Sequence, residues 1–221
     1  MTPNHTKATA IFAAIMALTI PLSACSTVKP ASKGSVAEIT VAAADDVAGC
    51  TDIAEPMLDI PTSDTEPRMR IPQPAGWEPV TDLDNLRVTR FALVKSDPTD
   101  REHPRKVVTV SLHRLPLTDT ETIFDGSRAE LVELFAARGW PTELTTTPNT
   151  VCGLPAETVT YAGDPALGAD AATVLFVAIN AGGHSYVAML TQLSEPGDPI
   201  SSNDAATFLS GLQVLPPATS L

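Results

Sequence analysis

The residues best suited to acid–base or nucleophilic chemistry are histidines, and one of them, His184, directly precedes a serine, Ser185. In a serine hydrolase the histidine and the serine must hydrogen-bond to each other, so that the imidazole can take the proton of the serine hydroxyl. Neighbouring residues on a strand point to opposite faces, which argues against this pair. The Gly-x-Ser-x-Gly motif of α/β-hydrolases is also absent. His103, which precedes a proline, and His113, on the polar side of an alternating segment, are expected to be solvated or locally hydrogen-bonded. We predict that the protein is not an enzyme.

Motifs for metals, cofactors and nucleic acids are missing as well. The sequence contains neither H-E-x-x-H nor a Cys/His cluster. Asp45 with Asp46, and Asp82 with Asp84, have the ligand type for weak calcium binding, but solvated turns are the favoured interpretation. No glycine-rich phosphate loop opens a helix, so no nucleotide cofactor is expected. A net charge of −12 argues against a nucleic-acid partner, since phosphate binding needs a basic face.

Two of the three cysteines, Cys50 and Cys152, remain in the part of the chain predicted to be the exported domain. Two thiols in an exported domain are most simply paired as one disulfide, closing a loop of about 100 residues. A redox or metal site is the alternative, but it would need a C-x-x-C spacing or an accompanying histidine. Because an exported domain folds in an oxidising compartment, a structural disulfide is the prediction.

The third cysteine, Cys25, follows an N-terminal export signal. Residues 1–24 carry Lys7 and then a mostly apolar run, which is too short to span a bilayer as a helix. The sequence Leu22-Ser23-Ala24-Cys25 resembles the lipobox of bacterial lipoproteins, in which the cysteine receives a diacylglyceryl group and becomes the new N-terminus. Cleavage after Ala24 by ordinary signal peptidase is the alternative. Lipidation of Cys25 would anchor the protein to the outer face of the cell membrane.

The remainder of the chain has the composition of one globular domain. Of 221 residues, 43% are hydrophobic and 18% charged, which allows a sizeable core. We assign residues 1–24 to the signal peptide, 25–46 to a lipidated flexible tether and 47–221 to a single domain. Segment 37–44 could instead continue the domain as a short helix or strand.

Six segments of the domain have strand patterns. The segment 106–115 is the clearest, because Val108, Val110 and Leu112 alternate with polar residues. Prolines in segment 68–80 predict an extended edge strand. The predicted strands are 68–80, 87–95, 106–115, 156–161, 173–180 and 185–193.

Two segments have helical periodicity. A helix is predicted over residues 127–140, with a Ser127/Glu130 capping box at its start and Gly139 after its last turn. A second helix is predicted from about Asn203 to Gln213, with Ser201 or Ser202 near its N-cap and prolines after its end.

The two longest apolar runs determine the predicted fold. Segments 173–180 and 185–193 are apolar on both faces and are joined by a Gly-Gly turn, which predicts an antiparallel hairpin covered on both sides. With one amphipathic helix on each side, the sequence predicts an α/β (α+β) fold. Its architecture is a three-layer α/β/α sandwich with a mainly antiparallel central sheet.

Aromatic residues supply the only candidate binding site. Trp77 and Trp140 lie beside glycines at the ends of predicted elements, and core packing is their favoured role. If the first helix is slightly separated from the sheet, its apolar stripe and Trp140 would form a cleft for an acyl chain. The candidate ligand-binding residues are Trp77, Leu131, Leu134, Phe135 and Trp140.

Several short stretches resemble the LpqN/LpqT-type lipoproteins of mycobacteria and related actinobacteria. They are the lipobox, the segment Ile71-Pro72-Gln73-Pro74-Ala75-Gly76-Trp77, the segment Cys152-Gly153-Leu154-Pro155-Ala156 and the terminal helix before Pro216. The resemblance covers about residues 50–215 and includes no catalytic motif. It implies a PsbP-like α/β/α sandwich and a non-enzymatic role at the cell envelope. The usual proposal for that role is lipid binding or assistance to envelope lipid export.

Three functional hypotheses follow. The first is a membrane-anchored lipid-binding or adaptor protein, whose partners would be an envelope lipid or glycolipid, or envelope transport proteins. The second is a structural accessory module of an envelope complex, with a packed interior and no ligand cavity. The third is a hydrolase using Ser185 and His184 or an unrecognised acid.

Overall fold

The computed structural model describes residues 49–80, 88–95, 106–164, 166, 171–194 and 199–218. The predicted signal peptide, Cys25, the tether, His103 and the two aspartate pairs lie outside these residues. Ten strands and two helices occur within the described ranges. In chain order they are β1 (Met57–Ile60), β2 (Arg68–Pro72), β3 (Glu78–Pro79), β4 (Thr89–Lys95), β5 (Lys106–Pro116), α1 (Thr120–Ala137), β6 (Thr145–Val151), β7 (Leu154–Tyr161), β8 (Ala171–Ala181), β9 (His184–Ser194), α2 (Ser202–Gly211) and β10 (Gln213–Leu215).

A seven-stranded antiparallel sheet forms the centre of the fold. Its strand order is β3-β4-β5-β9-β8-β7-β6. The predicted β8–β9 hairpin is confirmed, with a two-residue turn at Gly182 and Gly183, whose φ angles are 56° and 78°. Positive φ at both turn positions matches the twist of a hairpin and favours glycine. The mainly antiparallel sheet is therefore as predicted.

Both faces of this sheet are covered, as the apolar runs predicted. On one face, Val174, Phe176 and Ala178 of β8 pack against Ile123 and other residues of α1. We call this the α1 face. On the opposite face, which we call the α2 face, alternate residues of the same strands pack against a second layer that contains α2. The three-layer arrangement is thus confirmed.

The second layer contains a small sheet that was not predicted. Its strand order is β1-β2-β10, and both pairings are antiparallel. The single edge strand predicted for residues 68–80 was wrong: β2 is the central strand of the small sheet, whereas β3 is an edge strand of the large one. Pro72 and Pro74 lie where the chain leaves β2 for the next layer, so the prolines end a strand. Gly211 of α2 packs closely on this sheet, since a Cβ there would lie 2.7 Å from Pro72 Cγ.

Helix α1 begins seven residues earlier than predicted. Asp119 is its N-cap, and the Asp119 side chain accepts a hydrogen bond from Thr122 N at 2.9 Å. The predicted capping box at Ser127 was wrong, because the Ser127 hydroxyl is buried within the helix and donates to Ile123 O at 2.9 Å. Arg128 then joins α1 to β7 through the buried carboxylate of Glu157, at 2.6 Å. Asp119 is a suitable N-cap residue, but the first turn of the helix is polar, so the apolar helical pattern does not extend to it.

Helix α2 ends earlier than predicted. Ser201 is the N-cap, as one of the two predicted candidates, and its side chain accepts from Asp204 N at 3.2 Å. Gln213, predicted as the last residue of this helix, instead begins β10, which pairs with β2. Edge pairing in the second layer therefore overrides the helical period at this end.

Cys50 and Cys152 form a disulfide, as the cysteine count predicted. Cys152 lies in the β6–β7 turn with a φ of 51°, followed by Gly153 at 76°. The backbone of Gly49 packs against this turn, since a Cβ there would lie 3.4 Å from the Cys152 carbonyl carbon. The start of the described domain is thereby fixed to one end of the central sheet.

Candidate functional site

The predicted apolar cleft beneath α1 is filled. Leu131 and Phe135 are buried, and Leu131 belongs to the cluster that packs α1 directly onto β7, β8 and β9. Leu134 and Trp140 are partly buried against a second cluster at the end of the helix. The helix is therefore not separated from the sheet, and these four residues do not enclose an acyl-chain cavity.

Trp77 is also a core residue, as favoured from its sequence position. It is 1% exposed and makes an edge contact with Phe208, with ring centroids 4.8 Å apart. Its indole Nε1 donates to Asp204 Oδ2 at 2.9 Å, and Lys95 Nζ donates to the same oxygen at 2.7 Å. The structure therefore gives Trp77 a role in fixing α2 to the strands.

The ends of β7 and α1 meet in an aromatic cluster that sequence analysis identified only in part. Tyr161 lies between Phe135, at 4.5 Å between ring centroids, and Trp140, at 6.5 Å and nearly parallel. Arg138 lies over the Trp140 ring at 4.9 Å. Phe135 and Trp140 were predicted candidates, whereas Tyr161 was predicted only as the last residue of a strand.

An open cleft of about 480 Å³ lies beside this cluster, where β7 ends and β8 begins. We call it the Tyr161 cleft. Part of its wall comes from the ends of strands β6 to β9, and part from the loop that enters α2. The lining residues are Pro141, Glu143, Thr145, Thr160, Tyr161, Ala162, Gly163, Ala171, Ala172, Thr173, Gln192, Ser194, Pro199, Ile200 and Ala205.

Tyr161 lines the cleft, but its ring packs on the α1 face, where its hydroxyl has no hydrogen-bond partner among the described residues. Tyr161 is only 5% exposed, and its hydroxyl is buried without a partner among the described residues. Burial raises the pKa of Tyr161, and the nearby Asp164 carboxylate raises it further. The phenol is therefore protonated at neutral pH. A buried donor without a partner is uncommon in native proteins.

A row of polar side chains crosses four neighbouring strands in the same cleft. Thr145, Thr160, Thr173 and Gln192 are directly opposite one another in the register, so they share the α2 face. Gln192 is buried, and its amide donates to Ala205 O at 3.0 Å, which orients the side chain. Sequence analysis missed this row because isolated threonines in separate strands give no local signal. Only the strand register brings them together.

The candidate hydrolase pair does not assemble. The Ser185 hydroxyl is buried and donates to Asn180 Oδ1 at 2.7 Å, while it accepts from Thr118 N at 2.9 Å. His184 instead contacts Arg114 Nη2, at 2.5 Å from its Nε2. Ser185 therefore fixes the loop before α1, and the two neighbours have separate partners.

His113 is half-buried on the α1 face and has a local polar contact, which was one of the two environments expected for it. Its Nε2 lies 3.4 Å from Ser111 Oγ. Burial lowers the pKa of His113, and the carboxylate of Glu130 on α1 partly offsets this effect. The imidazole is therefore neutral at physiological pH.

Comparisons with solved structures find similar folds. LpqN of Mycobacterium tuberculosis, a protein involved in cell envelope biogenesis, matches with a TM-score of 0.54 at 16% identity, covering 72% of this chain and 92% of LpqN. The chain has an LpqN-like fold. A mutant of the protein Mog1 matches with a TM-score of 0.38 at 12% identity, covering 67% of this chain and 91% of Mog1. A protein from Bacteroides thetaiotaomicron matches with a TM-score of 0.37 at 8% identity, covering 66% of this chain and 44% of that protein.

Comparisons with known protein families and with curated proteins find none that matches. The LpqN likeness agrees with the fold implied by the sequence resemblance. At this identity it supports the fold alone.

Two further observations concern the described part of the chain. No group of three or more histidine, cysteine, aspartate and glutamate side chains there is arranged to hold a metal ion. Neither of its helices combines the length and the hydropathy needed to cross a bilayer.

Proposed function

We propose that the chain is an extracytoplasmic accessory protein of the cell envelope that binds a lipid without catalysing a reaction. The export signal and the oxidised Cys50–Cys152 pair support a position outside the cytoplasm. The LpqN-like fold adds support, since LpqN is involved in cell envelope biogenesis. In this proposal a lipid on Cys25 holds the domain at the outer face of the membrane, where envelope transport proteins are its candidate partners.

The observation that carries the lipid-binding part is the Tyr161 cleft. Its volume of about 480 Å³ lies within the range of small-molecule sites, which is about 300–1,000 Å³. The cleft borders an aromatic cluster, and Thr145, Thr160 and Thr173 are among its lining residues. An apolar wall with a few polar groups is the usual composition of a site for an amphipathic ligand.

Native mass spectrometry of the full mature protein, extracted from its membrane in mild detergent, tests this proposal. We expect a bound lipid or glycolipid. Thr173→Trp would fill the cleft and should remove the lipid, whereas Ala129→Trp on the exposed side of α1 should retain it. Consistently lipid-free wild-type protein that also fails to bind added envelope lipids would contradict the proposal.

A structural module of an envelope complex is a second candidate, and the packed interior favours it. Leu175, Phe176 and Phe208 are each 0% exposed, and the space beneath α1 is filled. This candidate predicts that the wild-type protein is lipid-free. It also predicts that the Thr173→Trp and Ala129→Trp variants behave alike in the same mass-spectrometric measurement. The same experiment therefore separates the two candidates.

The anchor is tested independently of the cleft. Cys25→Ser should move the protein from the membrane fraction to the soluble fraction, because the acyl chains have no other attachment point. Mass spectrometry of the mature wild-type N-terminus should show an acylated Cys25. An unmodified cysteine after cleavage at Ala24 would contradict lipidation while leaving the cleft proposal intact.

A further inference from the structure

We infer that the domain contacts the lipid bilayer with one end of its central sheet, where Leu117 enters the head-group region. This inference rests on the proposed lipid anchor at Cys25 and adds the orientation of the domain on the membrane. The end in question carries the loop after β5 and the β8–β9 turn, which adjoin each other because Pro116 pairs with His184. We call it the Leu117 end. The cleft lies at the opposite end of the sheet and opens away from the bilayer.

Leu117 is the most exposed large apolar side chain among the described residues, at 65%. Pro116 before it is also exposed, and Leu115 is half-buried, so three apolar residues follow one another at this end. Single exposed leucines are common on protein surfaces. This one is combined with a fixed loop, an arginine and the entry point of the chain.

The loop that carries Leu117 is held by a buried serine. The hydroxyl of Ser185 accepts a hydrogen bond from Thr118 N at 2.9 Å and donates to Asn180 Oδ1 at 2.7 Å. Directly after Thr118, Asp119 caps α1 and ends the loop. Leu117 is therefore held outside the fold, and little ordering of the loop is needed for a contact, which lowers its entropic cost.

Arg114 supplies a positive charge beside this loop. Its guanidinium contacts the imidazole of His184, and none of the ion pairs among the described residues includes it. A guanidinium can bind two phosphate oxygens at once. Arg114 is thus suited to the phosphate of a phospholipid while Leu117 inserts beside it.

The charge of this end favours zwitterionic lipids. Asp119 adjoins the loop, and Asp64 precedes Thr65, whose carbonyl lies against Gly182 of the β8–β9 turn. Both carboxylates are exposed, so a purely anionic surface would repel them. Insertion of Leu117 is therefore the main contact, and the ionic strength should affect it little.

The chain also enters the domain at the Leu117 end. The disulfide holds Cys50 at the β6–β7 turn, which lies at the same end of the sheet as the β8–β9 turn. Cys25 is separated from Cys50 by the 24 residues 26–49. A lipid on Cys25 therefore keeps this end near the bilayer, and a weak contact suffices because the link raises its effective concentration.

Tryptophan quenching by brominated lipids tests the orientation. The mature lipidated protein is reconstituted in phosphatidylcholine vesicles with brominated acyl chains. Glu121→Trp places a probe in the first turn of α1, and Ala136→Trp places one at an equally exposed position near its end. Because the probes lie about 22 Å apart along the helix, the added fluorescence should fall about threefold more for Glu121→Trp.

Two further variants keep this test specific. Leu117→Ser in the Glu121→Trp background should reduce the loss to the level of Ala136→Trp. Val88→Ser changes the other exposed apolar side chain, which adjoins Leu112 further from the end, and should have no effect. Equal losses at the two probes, a larger loss at Ala136→Trp, or no effect of Leu117→Ser would overturn the inference and leave the anchor intact. Protein that does not sediment with the vesicles would overturn both.

Discussion

At the scale of single residues, the Tyr161 hydroxyl lowers the stability of the fold. Its hydroxyl is buried without a partner, whereas its ring packs 4.5 Å from Phe135. Tyr161→Phe keeps the ring and removes the unpaired group, so the free energy of unfolding should rise by about 1 kcal/mol. Urea denaturation measures the change. Tyr161→Leu is the control, because loss of the ring contacts should lower stability by about 2 kcal/mol. A less stable Phe variant would show that the hydroxyl already has a partner.

Asp204 should make the stability of the domain depend on pH. Burial raises the pKa of Asp204, but hydrogen bonds from Lys95 and Trp77 outweigh this and hold it below its ordinary value near 3.8. Because the folded pKa is the lower one, the stabilisation is complete above the unfolded pKa and is lost as pH falls through the folded one. We expect Asp204→Asn to destabilise the protein by about 2 kcal/mol at pH 7.

Denaturation curves between pH 7 and pH 2 test the Asp204 prediction. The difference between the wild type and Asp204→Asn should shrink as the medium becomes acidic. Asp52→Asn, at an exposed position, is the control and should leave both the stability and its pH dependence unchanged. A constant difference across this range would show that the carboxylate charge contributes nothing.

At this scale the sequence identified two residues of the aromatic cluster beside the cleft, but none of its predicted ligand-binding residues lines the cleft itself. Phe135 and Trp140 were predicted because their large apolar rings follow a helical stripe. The threonine row was not, since Thr145, Thr160 and Thr173 are spread over 29 positions and become neighbours only through pairing between strands. The unpaired state of the Tyr161 hydroxyl depends on tertiary packing, which leaves no trace in local sequence.

At the scale of elements, the exposed edge strand β6 is closed to pairing with another strand. Pro148 at its centre has no N–H, and the N–H of Thr150 donates to Asn149 Oδ1 at 2.7 Å. Pro148→Val restores a donor at this edge and should raise the self-association constant several-fold. Analytical ultracentrifugation measures it. Thr146→Val adds the same side chain without adding a donor, and an equal effect of both variants would assign the association to hydrophobicity instead.

Strong local patterns predicted the elements that contain them. The apolar runs on β8 and β9 identified the hairpin and the need for cover on both faces. Strand β6 was missed because its sequence, TTTPNTV, has one buried residue and therefore no period of two. Strand β10 was missed because Gln213 continues a helical period until pairing with β2 overrides it. Short strands that owe their place to pairing with another strand were the ones that the sequence could not specify.

At the scale of the whole domain, the crosslink and the cleft occupy opposite ends of the central sheet. Cys152 precedes β7, at the end of the sheet where β8 and β9 meet at Gly182 and Gly183. Tyr161 ends the same strand β7, so the cleft lies at the far end. The chain therefore enters the domain at the end away from the candidate site, and stability and binding depend on different regions.

Removal of the disulfide should separate these two properties. The Cys50→Ser/Cys152→Ser double variant frees a loop with a sequence separation of 102, which increases the entropy of the unfolded chain. The free energy of unfolding should fall by about 4 kcal/mol. Lipid affinity should not change below the unfolding transition, because Tyr161 and the threonine row are held by strand pairing at the other end. Urea denaturation and native mass spectrometry of the bound lipid measure the two quantities on one preparation. A parallel loss of affinity in fully folded protein would show that the crosslink shapes the cleft.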